Sequence, residues 1–283
     1  SLKEDSEMLD EVVVVGYGTM KKKDLTGAVA AVKGDDLAAR KTTQLSTALQ
    51  GAASGVTVTR DNSAPGATAS IQIRGVTTIG ETSPLVIVDG IPGDINQVNP
   101  EDVESMSVLK DAASASIYGS RAAANGVIVI TTKRAKQDDL SLNYNFEYGW
   151  EMPTKLPEYV GAQRYLEMIN ETRFNDNNSG GWYQAYSEDQ VNNWVKNNAT
   201  NPDAYPIVDW QDAILKSSAP RQTHSINIAG GSKVVKTKAS FRYDKTDGLY
   251  ENRGYERYMI RINNDFKINK WLEAHLDVNY KRS

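Results

Sequence analysis

The 283 residues carry 36 acidic and 32 basic side chains, two histidines and no cysteine. A net charge of −4 leaves no electrostatic footprint for nucleic acid, and the missing cysteines exclude disulfide frameworks, thiolate zinc sites and cysteine nucleophiles. No run of about 18 apolar residues offers a transmembrane helix, and His224 and His275 are a thin inventory for acid–base or metal chemistry.

Three textures follow one another along the chain. Residues 1–23 start polar and acidic, with no export signal, which is expected to lie upstream or to have been removed. Next come four valines, Val12 to Val15, then Gly16-Tyr17-Gly18 and Lys21-Lys22-Lys23. A strand entering Gly-x-Gly suggests a dinucleotide turn, but the fingerprint needs a third glycine where Lys21 stands. Four β-branched residues between polar flanks also suit a segment that adds as a strand to another protein's sheet edge. An ordinary first strand of the next domain fits those residues equally well.

Residues 24–136 punctuate short apolar runs with glycine. The runs at 28–32, 56–58, 71–73, 85–88 and 127–130 predict strands. Helices are expected at 44–50, stopped by Gly51, from Pro100 after an Asn99 cap, and at 112–118, ended by Gly119. The mixture predicts a compact α/β domain with buried strands at 85–88 and 127–130. A calcium loop at 89–94 fails the EF-hand spacing, so Asp89-Gly90 reads as a turn. Glu101, Asp102 and Glu104 suit capping and solvation better than paired-acid catalysis. Nothing in the chain demands an enzyme or a cofactor.

Residues 137–283 alternate. Leu140, Leu142, Tyr144, Phe146, Tyr148 and Trp150 are apolar, while the odd positions between them are polar or glycine. This is a strand with one dry and one wet face. The pattern returns at 235–244, 257–268 and 272–280, with Met259 and Asn264 out of phase, after a weaker strand at 223–229. Eleven tilted residues climb about 26 Å, near the apolar height of a bilayer. A soluble antiparallel sheet with one buried face would alternate in the same way. Connections running long (151–220), short (230–232), medium (247–254) and short (269–270) match the asymmetry of an outer-membrane barrel. By that parity 151–220 lies outside the cell. It holds a predicted amphipathic helix at 161–172 and nine aromatics. Of these Trp182, Tyr183, Trp194 and Trp210 are candidate ligand contacts, although a small loop core is the simpler use for them.

Ordered motifs then carry a resemblance. LDEVVVVGYGTMKK (9–22), SIQIRGV (70–76), PLVIVDGIP (84–92), NPEDVESMSVLKD (99–111), IYGSRAAANGV (117–127) and ITTK (130–133) resemble the SusC/RagA-type TonB-dependent outer-membrane transporters. The resemblance implies a Bacteroidetes-type receptor importing glycan or peptide nutrients across the outer membrane, with TonB-ExbB-ExbD, a SusD-like surface lipoprotein and outer-membrane lipid as partners. It implies a TonB box at Glu11, Val12, Val13, Val14, Val15 and Gly16. The polar leader before that segment and Lys21 to Lys23 after it offer little apolar surface to hold it down, so it is expected to be mobile until TonB recruits it. The resemblance also implies structural plug signatures at Arg74, Gly75, Asp89, Gly90, Lys110, Tyr118, Gly119, Arg121 and Gly126. The expected fold is an α+β plug at 24–136, followed at 137–283 by the antiparallel opening strands of a transmembrane β-barrel with a partly helical extracellular insertion. About five strands cannot close a barrel of about 22, so the chain reads as plug and start of barrel. The competing reading is a secreted carbohydrate-binding or adhesive domain.

Overall fold

A computed structural model of the protein describes residues 12–15, 18–21, 29–60, 62–75, 82–138 and 140–283. Glu11, Gly16, Lys22, Lys23, Ala28, Val76 and the Arg121 side chain lie outside the described residues.

Strands β1 (Val12–Val15) and β2 (Gly18–Lys21) pair as an antiparallel hairpin. The plug proper contains β3 (Val29–Lys33), α1 (Gly34–Ala38), α2 (Leu45–Ala48), β4 (Val56–Thr59), β5 (Ser70–Ile73), β6 (Leu85–Val88) and β7 (Ile91–Pro92). It continues through β8 (Val103–Leu109), α3 (Ala112–Ala115), α4 (Ser120–Asn125) and β9 (Val127–Thr132). Five strands form one sheet in the order β3-β8-β9-β6-β7, with β6 and β9 parallel. Strands β4 and β5 form a separate hairpin.

The expected strands at 85–88 and 127–130 are in place, and the second lies at the heart of the sheet. Ile128 and Ile130 pack with Leu37, Leu45, Val58, Ile71 and Met106 on one face. Val127 and Val129 pack with Ile87, Ala115 and Ala122 on the other. Two buried faces explain a continuous apolar run rather than alternation. Gly126 turns the chain into β9 at φ +80°; a Cβ there would sit 2.9 Å from Ile73 and 3.0 Å from the Leu109 carbonyl.

The helix expected from Pro100 is a single 3-10 turn, Pro100–Asp102, whose Asn99 cap accepts from the Glu101 N–H. The chain then turns extended as β8, because Val103, Met106, Val108 and Leu109 are all drawn into the core. Burial overrides the local helix-start chemistry.

Beyond the plug, β10 (Leu140–Glu151), β11 (Ala219–Gly231), β12 (Val235–Asp247), β13 (Gly254–Lys267) and β14 (Glu273–Arg282) form a five-stranded sheet in sequence order with open edges. Strands β11 to β14 run antiparallel. Their faces are inverted relative to a soluble protein. Leu140, Leu142, Tyr144 and Phe146 are exposed, whereas Arg242, Asp244, Arg257 and Asn263 are buried. The two phase breaks have physical reasons. Met259 is buried on the inner face. Asn264 stands opposite Thr237 on the outer face and accepts its hydroxyl at 2.8 Å, so two polar groups satisfy each other there.

The insertion, with residues 249–252, is a second compact unit. It contains α5 (Ala162–Asp176), α6 (Glu188–Asn198) and α7 (Trp210–Ile214). Leu166 and Val191 are buried, and Asn170 bonds the backbone of Ala185 and Tyr186.

Candidate functional site

Among the described residues the four valines of β1 pair with β2: Val12 with Lys21, Val13 with Met20, Val14 with Thr19 and Val15 with Gly18. They lie close to β9 without joining the plug sheet.

The plug signatures sit at backbone special points and at ties between elements. Arg74 and Gly75 are consecutive left-handed residues at φ 61° and 79°, and the Arg74 N–H donates to the Gly55 carbonyl at 3.2 Å. Asp89 and Gly90 turn at φ 49° and 88°. Asp89 is more than a turn residue. Its carboxylate accepts the Thr132 N–H at 2.8 Å and the Thr132 hydroxyl at 2.7 Å, and meets Arg261 of the wall at 3.5 Å. Lys110 donates to the Ser54 hydroxyl at 3.1 Å. Tyr118 packs beside the second apolar cluster, before Gly119 at φ 99°.

A seam of charged and polar side chains joins plug and wall. Asp102, 2% exposed, accepts the Ser240 hydroxyl at 2.6 Å and Lys238 at 3.3 Å. Arg242 reaches Asn99 at 3.1 Å, Glu101 at 3.4 Å and Asp244 at 2.9 Å. Asp244 also accepts from Thr223 at 2.9 Å and from Arg257 at 2.6 Å. Arg257, fully buried, continues into the plug, where it donates to the Gln44 side chain at 3.1 Å and to the Thr43 carbonyl. Gln44 in turn donates to Tyr255 at 3.1 Å and to the Gly66 carbonyl at 2.9 Å. The Tyr255 ring lies over Gly66, where a Cβ would stand 2.2 Å from it, so this turn at φ +74° admits only glycine. Arg221 donates to the Lys41 carbonyl at 3.2 Å, and Lys41 pairs with Glu147.

Toward the other end, Asn263 donates to Thr132 at 2.8 Å. Arg134 pairs with Asp265 and, at 2.6 Å, with Asp277. Burial alone would lower the Arg134 pKa, but the hydrogen bond to Asp277 and the charges of Asp277, Asp265 and Asp89 outweigh it and raise it above the ordinary arginine value. This guanidinium is a permanent cation. The charges of the seam are paired, the condition under which burial of an ion is tolerated, while Arg261 Nε, Asn99 Nδ2 and Asn263 Oδ1 are buried without a hydrogen bond.

The polar faces were legible as faces; the ties between plug and wall were not, because they join residues far apart in the sequence, such as Asp102 with Ser240 and Gln44 with Arg257. Glu101 and Asp102 belong to this seam rather than to capping alone.

The two histidines do not meet. His224 lies on the outer face beside Tyr144, whose hydroxyl is 2.8 Å from Nδ1, and near Phe146. His275 contacts Asp265 at 2.7 Å on the inner face. Among the described residues no three His, Cys, Asp or Glu side chains gather as metal ligands.

The aromatics singled out in the insertion serve different neighbours. Trp182 packs on Phe174, and Trp194 stands edge-on to Tyr186 and Tyr205 while donating to the Pro206 carbonyl at 3.2 Å. Trp210 starts α7 and is 67% exposed, and Tyr183 is also exposed. Trp194 is thus a loop-core residue, while Trp210 and Tyr183 offer free ring surface.

A family model described as TonB-dependent Receptor Plug Domain matches residues 21–127. The TonB-dependent receptor SusC of Bacteroides thetaiotaomicron is 34% identical over 290 residues, spanning 98% of this chain and 26% of that protein. TonB-dependent receptor P26 of Formosa agariphila is 34% identical over 285 residues, spanning 98% and 27%. The RagAB peptide importer in its open-open state superposes with a TM-score of 0.75 at 30% identity, covering 96% of this chain and 32% of that one. The siderophore receptor PirA of Acinetobacter baumannii shares the fold at a TM-score of 0.51 and 20% identity, covering 92% and 32%. The chain spans about a quarter of the length of the curated relatives it matches.

Proposed function

The chain belongs to the SusC/RagA-type TonB-dependent receptors, outer-membrane proteins whose plug is reached from the periplasm, and from that premise we propose that it forms the gate and opening wall of an energised nutrient importer. The observation that carries this reading is the inverted wall. Strands β10 to β14 turn apolar side chains outward, and β11 to β13 lay a buried polar seam against the plug. That is the construction of a barrel wall whose outside is lipid and whose lumen is filled by protein.

The plug occupies residues 24–136 and the wall begins within 137–283, with 151–220 on the extracellular side. Glu11 to Gly16 is the segment that TonB, driven by ExbB-ExbD, takes hold of. A SusD-like surface lipoprotein covers the outer mouth. The substrate is an oligomeric nutrient, glycan or peptide. The kinship with a peptide importer supports this size class, and exposed Tyr183 and Trp210 suit stacking on either chemistry. The plug signatures hold the gate in shape and do no chemistry.

The test is energised uptake by the full-length receptor lacking Val12–Val15. Uptake should disappear, while barrel assembly and substrate binding at the outer face persist. Import at the normal rate would contradict the assignment of this segment.

A further inference from the structure

At the end of the wall where β11 turns into β12 and β13 into β14, the two turns frame a cleft of about 500 Å³. The frame is hydrogen-bonded. The Lys267 N–H donates to the Val234 carbonyl at 2.8 Å and the Ile268 N–H to the Leu272 carbonyl at 3.0 Å, while the Asn269 side chain accepts the Trp271 N–H at 2.9 Å. The linker leaving the plug reaches the same end, where the Asp138 N–H donates to the Gly231 carbonyl at 3.0 Å.

The lining is cationic. Lys233, Lys236, Lys267 and Lys270 stand against two carboxylates, Asp265 and Glu273. Both carboxylates are engaged: Asp265 by Arg134 and by His275 at 2.7 Å, Glu273 by Lys267 at 3.9 Å. Lys233, Lys236 and Lys270 have no anionic partner among the described residues. Like charges gathered in one cleft repel, and an anion between them removes that repulsion. The opposite end of the same strands differs, since Lys245 there is paired with Glu256 at 3.8 Å. The volume is that of a small-ligand site.

The cleft also borders the apolar outer face. Val234 and Phe266 contribute to its lining, and Phe266 stands in one register row with Val235 and Ala274. Beside it Ile268 is exposed and Trp271 is 83% exposed. An exposed indole next to lysines matches a membrane–water interface, where the ring lies at headgroup level and the amines reach phosphate.

Resting on the reading that puts 151–220 outside the cell, and hence these turns in the periplasm, we propose that the cleft binds the headgroup of an anionic phospholipid from the periplasmic leaflet. Lys233, Lys236 and Lys270 hold the phosphate, and the acyl chains run along Phe266, Ile268 and Trp271. The apolar border favours a lipid over a soluble phosphate.

The test uses full-length receptor in phosphatidylcholine vesicles that carry a minor fraction of phosphatidylglycerol with a photoreactive headgroup. Labelled peptides are mapped, with labelling elsewhere on the receptor as internal reference. Labelling should concentrate in 230–237 and 265–275, and unlabelled phosphatidylglycerol should compete where inorganic phosphate does not. Lys233→Gln, Lys236→Gln and Lys270→Gln together should lower it at least about tenfold, on a scale of roughly fivefold for each lysine. The triple arginine variant should stay within about twofold of the parent, and Lys245→Gln should change nothing. Uniform labelling over the wall, or equal loss in the arginine variant, would overturn the proposal. Competition by inorganic phosphate would overturn the lipid as occupant. A separate Lys270→Cys variant is treated in intact cells with a thiol reagent that cannot cross the outer membrane. Protection until the membrane is permeabilised places the turns in the periplasm, so that failure of lipid labelling then refutes the site alone. Reaction in intact cells would refute the placement itself, and the proposal with it.

Discussion

The plug core and the wall obey opposite burial rules. In the plug, the side chains without solvent exposure include Leu37, Leu45, Val108, Ile128 and Ile130. In the wall the largest fully buried side chain is Arg257, beside Asp244 at 1%, while Leu140 is 87% and Leu142 71% exposed. Both regions are built from strands, so secondary structure does not set the rule. What each face meets does. A plug strand such as β9 has apolar neighbours on both sides. A wall strand divides two environments, one polar and protein-filled and one built for hydrocarbon, and its sequence alternates accordingly.

The sharpest way to break this contrast is to strand a charge in the seam. Asp244→Leu leaves Arg242 and Arg257 buried without their common carboxylate and should destabilise the full-length receptor by ~3–5 kcal/mol, read by urea unfolding in lipid bilayers. Arg257→Met should cost less, because Arg242 still neutralises Asp244. Replacing all three by Leu and Met should recover much of the loss. Next in size is a charge on the outer face. Leu142→Arg should impair assembly by ~2–4 kcal/mol if it lies at the bilayer midplane, whereas Asn143→Arg, one residue away on the inner face, should assemble far better. Equal yields in membranes would contradict the face assignment. A methyl deletion separates the regions more gently. Ile130→Val in the plug should cost ~0.5–1.5 kcal/mol, while Ile228→Val, 47% exposed on the wall, should stay within about 0.5 kcal/mol, because lipid fills the space. Smallest of all, Arg164→Ala, which removes exposed pairs to Glu167 and Glu171 in the insertion, should change stability by less than ~1 kcal/mol.

The same contrast explains what could be read from the chain alone. Strands β10, β12 and β14 were legible because their two faces demand different chemistry at every second residue. Strand β8 was not: Met106, Ser107, Val108 and Leu109 are all buried, so no period marks them, and Asn99-Pro100 upstream signals a helix that lasts one turn. Helix α6 carried a readable start that went unused, the capping box of Ser187 and Gln190, with Val191, Trp194 and Val195 at helical spacing. At the candidate site, glycine-rich turns and the valine run stood out locally. Asp89 was visible as a turn, but its hold on Thr132 and its approach to Arg261 depend on chain segments 43 and more residues away. Likewise the Gln44 bridge between Tyr255, Arg257 and Gly66 is a tertiary fact without a local signature.

The proposed barrel wall requires one face of β10 to meet lipid and the other to meet protein. The most direct test is a nitroxide scan of the full-length receptor in bilayers, with single cysteines placed in turn at 140–150. Oxygen, which partitions into hydrocarbon, should relax labels at Leu142, Tyr144, Phe146 and Tyr148 more strongly than a water-soluble nickel chelate does, and the preference should vanish at Asn143, Asn145 and Glu147. An alternation of period two is the predicted result. Water-like accessibility at the even positions would contradict the account, leaving a one-sided soluble sheet in place of a membrane wall.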